Sequence, residues 1–537
     1  MSKKEYKVAL DNPAKSLNRY SKNPGRNASK SRKGGHNGGS HKRGGHKAGK
    51  VVGYILLTIQ AAASVLMMAM LVLLGMLPMK YLAAIGAVLL LLLLPTLMTQ
   101  IKAKKKAASI GGKIFSVLMS LILLTGSFYT YKANSAVGEI SGGEYKIDNI
   151  VVAVLKEDAA ENIKDAAGYI FGVQYAMGGD DIRDGVATIN EELGSEIETR
   201  EYSSLNEQAA ALQSGEVEAI IYNEGYTGIL EETIEGYSES IKIIYEHSIK
   251  TLLDNKASEV DVTDSTFSVF ISGIDVYGPI ETNSRSDVNI IATVNTKSRQ
   301  ILLVTTPRDY YVEIPGISGG MRDKLTHAGI YGVDASIATL SQLYDMDIDF
   351  YARVNFTSLI EIVDVLGGVE VYSEYAFQTS PDTNYGMGTS LNVQEGYNTF
   401  NGKEALMFSR ERHNIPGGDN QRGKNQQAVI TAIIKKMISP SMLVNANGLI
   451  NSVSGNVETN MSQEQIQELV KMQLSEGGSW NIYSVAAEGT GSREVCYSGG
   501  STPLSVIWPD ETSVSGIAQL VDQVEQGEVL EGSEQAQ

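Results

Sequence analysis

The stretch "RSDVNIIATVNTKSRQILLVTTPRD" (285–309) indicates how the C-terminal half of the chain folds. Its two apolar segments, 288–296 and 300–307, stand a few polar residues apart, which is the spacing of a β-hairpin. Charged residues precede the first strand and follow the second: Arg285, Asp287, Arg308 and Asp309. Charged side chains at strand ends commonly form the sites of α/β proteins. The stretch therefore predicts a sheet with a functional site at its edge.

The surrounding pattern predicts an α/β fold class with two folded domains. Residues 262–515 contain further strand patterns and the helical segments "VDASIATLSQLY" and "FTSLIEIVDVLGG", which predict a central mixed sheet flanked by helices. Residues 145–255 predict a small α/β accessory domain, with a strand at "NIVVAVL" and a helix at "AAENIKDAAGYIFGV". The acidic end, 516–537, is expected to be disordered.

Three apolar runs precede these domains, at Val51–Leu74, Tyr81–Met98 and Ile114–Tyr131. About 18–20 apolar residues suffice to cross the hydrocarbon core of a membrane. A buried core helix, or a signal peptide for the first run, is the alternative interpretation. Three such runs in close succession favour transmembrane helices, and the chain is expected to be a multi-pass membrane protein.

The distribution of charge predicts the orientation in the membrane. The whole chain has net charge -17, yet residues 1–50 hold 14 Lys and Arg against two acidic residues. The link "QIKAKKKAASIGGK" between the second and third runs is also basic. Because basic segments remain in the cytoplasm, we expect a disordered cytoplasmic tail (1–50) and extracytoplasmic domains after about Lys132. The single cysteine, Cys496, excludes an intrachain disulfide framework.

A second stretch, "FSRERHNIPGGDNQRGKNQQ" (408–427), concentrates arginines in an acidic chain. Arg410 and Arg412 are two apart and would face the same way on a strand. Arg422 and Gln426 are four apart and would share one face of a helix, with Asp419 placed to cap it. Arginines beside a helix N-terminus favour a phosphate or pyrophosphate ligand. A surface ion-pair network with neighbouring acidic residues is the alternative.

Two aspartates supply a candidate metal site. Asp275 follows the strand "FSVFISGID", and Asp287 precedes the next strand. Carboxylates beside phosphate groups suit Mg²⁺, which takes one or two carboxylates together with phosphate oxygens. We therefore expect Mg²⁺ as the cofactor.

The motifs "ISGID", "SRSDVNIIATVNT", "LLVTTPRDYYVEIPG", "KLTHAGIYG", "FNGKEALMFSRERH" and "GGDNQRGKNQQAVI" stand in the order found in the LytR-CpsA-Psr (LCP) family. The resemblance covers roughly 262–515, and the three apolar runs with an accessory domain resemble the capsule-associated CpsA branch. It implies a phosphotransferase that moves an undecaprenyl-pyrophosphate-linked glycopolymer, a teichoic acid or capsular polysaccharide, to peptidoglycan in the bacterial envelope. Undecaprenyl phosphate is the other product.

The resemblance also implies roles for residues. Asp275 and Asp287 fall on the family's metal ligands. The pyrophosphate-binding positions are Arg285, Arg308, Lys324, Arg410, Arg412, Arg422 and Gln426. Arg308, Asp309 and Asp419 are the candidate catalytic residues, with one of the two aspartates as general base. A lipid tunnel is expected among the helices at "FTSLIEIVDVL" and "AVITAIIKKMI", where ordinary core packing is the alternative.

Two other functions fit the same patterns. The arginines and metal would also serve a lipid-pyrophosphate hydrolase that uses water as acceptor. A non-enzymatic, membrane-bound envelope regulator is the third possibility, with the basic tail as a nucleic-acid-binding segment. That tail has no helix-turn-helix pattern and no interleaved aromatic residues, so no specific nucleic acid is expected as a partner. The expected partners are the lipid-linked glycopolymer, peptidoglycan and the membrane.

Overall fold

A computed structural model describes residues 44–102, 105–140, 145–252, 258–274, 280–381, 390–439 and 457–530. Three long helices come first: α1 (Gly44–Leu73), α2 (Met79–Ile101) and α3 (Lys106–Ile140). Each is long and apolar enough to cross a membrane, which confirms the prediction of three apolar spans. Their large apolar side chains point outward, with Leu90 and Val65 exposed by 67% and 70%. Such a surface suits contact with lipid.

Gln60, the polar residue within the first apolar run, is fully buried between α1 and α2. Its Oε1 accepts a hydrogen bond from Thr96 Oγ1 at 2.8 Å, and its Nε2 donates to the Leu92 carbonyl at 3.0 Å. Side-chain hydrogen bonds of this kind join helices in lipid, where apolar surfaces gain little from pairing with each other. The glutamine therefore helps to hold the helices together as a bundle.

The accessory domain (145–252) is built on a five-stranded sheet with the order β3-β2-β4-β1-β5. Its strands are β1 (Tyr145–Leu155), β2 (Ile170–Val173), β3 (Glu198–Glu201), β4 (Ala219–Asn223) and β5 (Ile241–Leu252). Its helices are α4 (Gly179–Leu193), α5 (Leu205–Ser214), α6 (Thr227–Thr233) and α7 (Tyr237–Ser240). Strand β2 pairs in parallel with β3 and β4, whereas β1 is antiparallel to both neighbours.

The helix predicted at 159–173 is wrong. Residues 156–169 form turns, and Ile170–Val173 is strand β2. The end of the segment follows a strand pattern instead, because Phe171 and Val173 stand on either side of Gly172 and both enter the sheet core. The helix that follows β2 is α4, which ends at Gly194 in the left-handed conformation.

The C-terminal domain (258–530) contains a six-stranded mixed sheet with the order β16-β11-β6-β7-β8-β17. These strands are β6 (Thr266–Ile274), β7 (Ser286–Asn295), β8 (Gln300–Thr305), β11 (Phe350–Val354), β16 (Val457–Thr459) and β17 (Asn481–Ala486). Strands β7 and β8 form the predicted antiparallel hairpin. Two pairs, β6 with β11 and β8 with β17, are parallel, so the predicted mixed sheet is confirmed.

Short strands form ribbons around this sheet. They are β9 (Tyr311–Glu313), β10 (Arg322–Lys324), β12 (Val369–Ser373), β13 (Phe377–Gln378), β14 (Asn392–Val393), β15 (Gly396–Phe400), β18 (Gly489–Val495) and β19 (Pro503–Pro509). The helices are α8 (Leu325–Ala328), α9 (Val333–Tyr344), α10 (Phe356–Val365), α11 (Gly402–Arg410), α12 (Asp419–Met437), α13 (Gln463–Glu476) and α14 (Glu511–Glu525).

Helices cover both faces of the six-stranded sheet. On one face α9 and α14 pack on strand residues such as Phe270 and Leu302. On the other face α12 contributes Ile430 and Ile434, which contact the core around Ile290. Helices α10, α11 and α12 form a further core with β12 and β15. This second core places three helices at one edge of the sheet.

The disordered tail predicted at 516–537 is wrong for most of its length. Helix α14 continues to Glu525, and Leu530 is also buried. Ile517, Val521 and Val524 recur at helical spacing and enter the main core, so their burial outweighs the acidic composition of the segment. Residues 531–537 lie outside the described part of the chain, as does the predicted basic tail up to residue 43.

Backbone and side-chain contacts join the two domains. The Ile147 N–H donates to the Glu281 carbonyl, and the Asn283 N–H donates to the Ile147 carbonyl, both at 2.9 Å. The buried Asp148 carboxylate accepts from the side-chain amides of Asn283 at 3.0 Å and Asn223 at 3.2 Å. Because this junction stands immediately before β7, it brings the accessory domain against the edge of the C-terminal sheet.

Candidate active site

A cavity of about 540 Å³, called here the arginine cleft, opens at this edge between the sheet, helices α10–α12 and helix α6 of the accessory domain. Six of the predicted pyrophosphate-binding residues line it: Arg285, Arg308, Arg410, Arg412, Arg422 and Gln426. Asp287 lines it as well. Residues up to 141 positions apart in the sequence therefore converge on one site.

The hairpin geometry explains one part of this convergence. Strand β7 is antiparallel to both β6 and β8, so the end of β6, the start of β7 and the end of β8 meet at one edge. Arg285 and Asp287 stand at the start of β7, and Arg308 follows β8 by three residues. The structure therefore places Arg285, Asp287 and Arg308 together on a single edge of the sheet.

Asp287 is held on both of its carboxylate oxygens. Arg308 Nη1 donates to Oδ2 at 2.8 Å, and Thr326 Oγ1 donates to Oδ1 at 3.0 Å. Burial alone would raise the pKa of this carboxyl, but the positive charges of Arg308, Arg285 and Arg422 outweigh burial and hold it well below its usual range. Asp287 is therefore a carboxylate, and it faces the cleft in a fixed orientation.

Arg410 and Arg412 reach the cleft from a helix end and not from a strand, so the predicted strand is wrong. Asn401 and Glu404 form a capping box that starts α11, and this helix ends at Arg410. The Arg410 guanidinium lies over the ring of Phe356, with Cζ 4.2 Å from the ring centroid. Stacking on an aromatic face fixes the plane of the guanidinium.

The buried Glu411 carboxylate shapes the turn after α11. Its Oε1 accepts hydrogen bonds from three successive backbone N–H groups, those of Arg412 at 3.0 Å, His413 at 2.7 Å and Asn414 at 3.0 Å. Its Oε2 accepts from the Ser380 N–H. Because four backbone donors converge on one carboxylate, the turn that carries Arg412 is rigidly held at the cleft.

Arg422 and Gln426 lie one turn apart on α12 and both line the cleft, as predicted for a helix. The helix begins at Asp419, and the capping position belongs to Gly418, which makes no side-chain hydrogen bond. The predicted capping role of Asp419 is therefore wrong, and the side chain of Asp419 lies outside the described part of the structure. The predicted metal ligand Asp275 also lies outside it.

Lys324 and Asp309 do not line the cleft. The Lys324 side chain is 3% exposed, and its Nζ contacts Asp309 Oδ1 at 3.1 Å and Glu232 Oε2 at 2.6 Å. Asp309 Oδ2 lies 3.8 Å from Arg308 Nε. These two residues therefore form a layer behind the arginines, with Asp309 placed to hold Arg308 and Lys324.

Seven apolar side chains also line the cleft and form what is called here the apolar wall. They are Ile271, Val288, Phe356, Leu359, Leu406, Val429 and Ile430. Phe356 and Leu359 come from "FTSLIEIVDVL", and Val429 and Ile430 come from "AVITAIIKKMI", the two segments expected to line a lipid tunnel. Val429 also belongs to the core between the helices and β12, so one helix serves both packing and the cleft.

Sequence reasoning missed the contribution of the accessory domain. Five of its residues line the arginine cleft: Thr227, Gly228, Glu231, Glu232 and Ser238. Glu232 Oε1 lies 3.5 Å from Arg285 Nη1. Glu231 and Glu232 begin the acidic run "EETIEGYSE" (231–239), but nothing in that run indicates a contact with the C-terminal domain, and only the contact between the domains brings these residues to the site.

Two other titratable groups are buried away from the cleft. His327 is fully buried, with Nδ1 2.7 Å from Asp323 Oδ1 and 2.8 Å from Ser498 Oγ, which supports its interpretation as a structural histidine. Cys496 is also fully buried, and burial raises the pKa of its thiol to about 12. The thiol is therefore unreactive.

The fold and the cleft define an α/β protein with three apolar N-terminal helices and a cleft lined by arginines and apolar side chains. The sequence model of the LytR_cpsA_psr family matches residues 234–504, and this chain belongs to that family. It is 33% identical over 243 residues to the polyisoprenyl-teichoic acid–peptidoglycan teichoic acid transferase TagU of Enterococcus faecalis, covering 43% of this chain and 73% of the relative.

Two further relatives carry the same name. The TagU protein of Bacillus cereus is 34% identical over 221 residues, which is 41% of this chain and 68% of that protein. The crystal structure of TagU from Bacillus subtilis is 28% identical, covers 50% of this chain and 99% of its own, and has a TM-score of 0.38. The matched part corresponds to the C-terminal domain in size and leaves about half of this chain uncovered.

Proposed function

We propose that this chain is a membrane-anchored phosphotransferase that moves a glycopolymer from undecaprenyl pyrophosphate to peptidoglycan and releases undecaprenyl phosphate. One observation carries the proposal: a single cleft is lined both by five arginines and by the side chains of the apolar wall. A lipid-linked pyrophosphate has the same two parts, an anionic group and a hydrocarbon chain. Membership of the LytR_cpsA_psr family and the names of the relatives support this activity, and they favour a teichoic acid as the polymer.

The guanidinium groups would bind the pyrophosphate. Arg308 is held by Asp287, Arg410 by the Phe356 ring, and the turn that carries Arg412 by Glu411. Arginine matches phosphate oxygens with paired N–H donors, and side chains already fixed in place lose little entropy on binding. The isoprenyl chain would lie along Leu359 and its apolar neighbours.

The transfer step follows from the chemistry of the two substrates. The oxygen of a peptidoglycan hydroxyl attacks the phosphorus that carries the sugar. The bond from this phosphorus to the bridging oxygen breaks, the bridging oxygen leaves with undecaprenyl phosphate, and the hydroxyl proton passes to water or to a carboxylate that acts as general base. The arginines neutralise the negative charge that spreads over the phosphate oxygens, which is the main requirement for phosphoryl transfer.

Asp287 fits the role of a magnesium ligand. Each of its oxygens accepts one protein hydrogen bond, so a further lone pair remains for a cation. Within the described residues, no group of three or more His, Cys, Asp or Glu side chains could hold a metal ion. The donor phosphates and one or two carboxylates would hold the cation. When bound, Mg²⁺ would neutralise charge on the pyrophosphate.

The orientation is proposed from charge. The basic tail and the basic link at 100–113 favour the cytoplasm, so both domains would face the cell wall, where peptidoglycan lies. Alkaline phosphatase fused after residue 530 should be active in cells, whereas fusion within the link at 102–106 should be inactive. The reverse pattern would contradict the proposed orientation.

Reconstitution tests the activity. Purified full-length protein in detergent micelles is mixed with a polyprenyl-pyrophosphate-linked disaccharide, peptidoglycan fragments and Mg²⁺, and the products are identified by mass spectrometry. We expect a sugar phosphate joined to the peptidoglycan fragment, together with polyprenyl phosphate. Release of sugar phosphate without an adduct would show a lipid-pyrophosphate hydrolase, and no conversion of the donor would contradict both enzymatic functions.

A further inference from the structure

Lys324 is the one predicted pyrophosphate ligand in the described residues that does not reach the arginine cleft, and a carboxylate of the accessory domain stands between them. Glu232 lines the cleft from α6, whereas Lys324 is 3% exposed behind it. Glu232 Oε2 contacts Lys324 Nζ at 2.6 Å, and its Oε1 lies 3.5 Å from Arg285 Nη1. One carboxylate therefore bridges two cations of the proposed donor site.

Gly228, one turn before Glu232 on α6, brings the helix close to the same arginine. A Cβ atom at this position would lie 2.5 Å from Arg285 Cζ and 2.6 Å from its Nε. The guanidinium therefore lies against the backbone of α6, in space that a side chain would fill. Two residues of one accessory-domain helix thus determine where Arg285 is placed.

The neighbouring Glu231 has a different task. Its carboxylate accepts hydrogen bonds from the Gly236 N–H at 3.1 Å and from the N–H and hydroxyl of Ser238, each at 2.7 Å. These bonds close the turn between α6 and α7 within the accessory domain. Among the two acidic residues of this helix, Glu232 alone contacts the cations of the C-terminal domain.

A carboxylate and a phosphate present similar oxygens to arginine and lysine, and both form charge-assisted hydrogen bonds with them. We infer that Glu232 occupies a phosphate position on Arg285 and Lys324, and that the donor pyrophosphate displaces it on binding. This inference rests on the proposed function. It makes the accessory domain a part of the donor site and makes Glu232 a residue that sets the affinity of this site for anions.

Displacement has a consequence for turnover. The donor must overcome the attraction between Glu232 and the two cations, so the site binds pyrophosphate less tightly than its arginines alone would allow. After transfer, the product is a lipid monophosphate that retains fewer anionic oxygens. The Glu232 carboxylate then competes for Arg285 and Lys324 and favours release of that product.

Binding of geranylgeranyl pyrophosphate, a soluble lipid pyrophosphate, tests the inference. Isothermal titration calorimetry compares full-length wild-type protein in detergent micelles with the Glu232→Gln variant, which keeps the shape and removes the charge. We expect the variant to bind roughly fivefold to tenfold more tightly, because unit charges about 4 Å apart repel by that order even when bulk water surrounds them. The difference should shrink at high salt, since ions screen this repulsion.

Two controls isolate the charge at this position. The Glu239→Gln variant removes an exposed carboxylate of the same domain that does not line the cleft, and its affinity should equal that of wild type. Geranylgeraniol, which lacks the pyrophosphate, should bind wild type and Glu232→Gln equally. Thermal unfolding verifies that each variant is folded, and Glu232→Ala, which should also bind more tightly, replaces Glu232→Gln if that variant is not.

The outcomes separate the inference from the proposed function. Equal or weaker binding of the pyrophosphate by the folded Glu232 variant would overturn the inference while leaving the transferase proposal intact. Absence of binding by wild type and variants alike would contradict the proposed donor site, and the inference with it. Tighter binding by the variant supports the inference whether or not transfer to peptidoglycan is observed.

Discussion

Arg308 donates a hydrogen bond to Asp287 across the end of the β7–β8 hairpin, with Nη1 and Oδ2 2.8 Å apart. The two side chains are 14% and 20% exposed, so each shields the other from water at the base of the cleft. The hairpin fixes their separation, and Thr326 holds the second oxygen of Asp287. This pair is the part of the proposed site that the local sequence specifies most directly.

Replacing Arg308 should impair both transfer and stability. In Arg308→Ala the partly buried Asp287 carboxylate loses one charge-assisted hydrogen bond but keeps the one from Thr326 and the charges of Arg285 and Arg422, which should cost about 1–3 kcal/mol of the free energy of unfolding. Without the Arg308 guanidinium, one group that stabilises the negative charge of the transition state is lost, which should also lower kcat about 10²-fold or more. Chemical unfolding and the transfer assay measure the two effects. Arg308→Lys, which keeps the charge, should recover more stability than activity, and full activity in Arg308→Ala would contradict the assigned role.

The contribution of Arg410 to activity should depend on its stacking on the Phe356 ring. Arg410→Lys retains the charge but loses the planar stacking on Phe356, so kcat/KM should fall about tenfold, as expected for a cation–π contact of roughly 1–2 kcal/mol. Arg410→Ala should lose about 10²-fold or more. The exposed Arg493 on β18, which lies outside the cleft, provides the matched control. A similar loss in Arg493→Ala would point to a general effect of charge and not to the site.

The apolar wall should recognise the lipid and not the pyrophosphate. Leu359 on α10 is half-buried and lines the cleft, and Leu359→Asn removes about 2 kcal/mol of apolar burial from a bound isoprenyl chain. We expect KM for the polyprenyl donor to rise roughly thirtyfold, while the affinity for inorganic pyrophosphate stays unchanged. Leu359→Met preserves volume and should behave as wild type. Equal weakening of both ligands would show that the substitution disturbs the arginines instead.

The elements predicted correctly are those whose signal lies within one short segment. The β7–β8 hairpin and helix α9 follow from periodicity alone, because each pattern extends over most of the element. Arg410 and Arg412 show the limit of this reasoning: a two-residue spacing fits a strand, but the capping box of Asn401 and Glu404 upstream marks a helix start. Reading that box would have placed Arg410 on a helix.

The contact of Glu232 with the cleft could not have been predicted from a pattern within one short segment. Its contact with Lys324 joins residues 92 positions apart and belonging to different domains. Glu232 stands in the acidic run "EETIEGYSE" (231–239), and nothing in that run distinguishes it from the other glutamates, since the cations that it contacts are supplied by other elements. The packing of the domains, fixed by Asp148 and Asn283, decides which acidic residue of α6 reaches the cleft.

Removal of magnesium should lower the rate of transfer, because Asp287 is proposed to bind the cation. We expect a chelator to reduce the rate of the wild-type protein strongly and added Mg²⁺ to restore it, because a cation held by Asp287 would supply neutralisation of charge on the pyrophosphate. Asp287→Asn should be slow in both conditions, since a neutral amide binds Mg²⁺ weakly. The transfer assay with and without chelator measures this difference. Full activity of the wild-type protein in chelator would contradict the proposed cofactor.

The buried Asp323 should make stability dependent on pH. Its carboxylate accepts from the N–H groups of Lys324 at 2.8 Å and Ser498 at 2.9 Å, and it lies 2.7 Å from His327 Nδ1. Burial alone would raise the pKa of this carboxyl, but His327 and the hydrogen bonds from Ser498 and Lys324 outweigh burial and lower it from the ordinary value of 3.8. A carboxyl with a depressed pKa in the folded state stabilises the fold above its ordinary pKa, and this contribution is lost as the pH falls through the depressed value.

Asp323→Asn should therefore destabilise the protein by about 2–4 kcal/mol at pH 7, because an amide NH₂ would face a buried donor in place of an acceptor. The difference between wild type and variant should decrease as the pH falls below about 4, which denaturant unfolding in detergent from pH 7 to pH 3 measures. The exposed Asp347, changed to Asn, is the control and should show little effect at any pH. A difference that remains constant from pH 7 to pH 3 would show that lost packing, and not the carboxylate charge, accounts for the destabilisation.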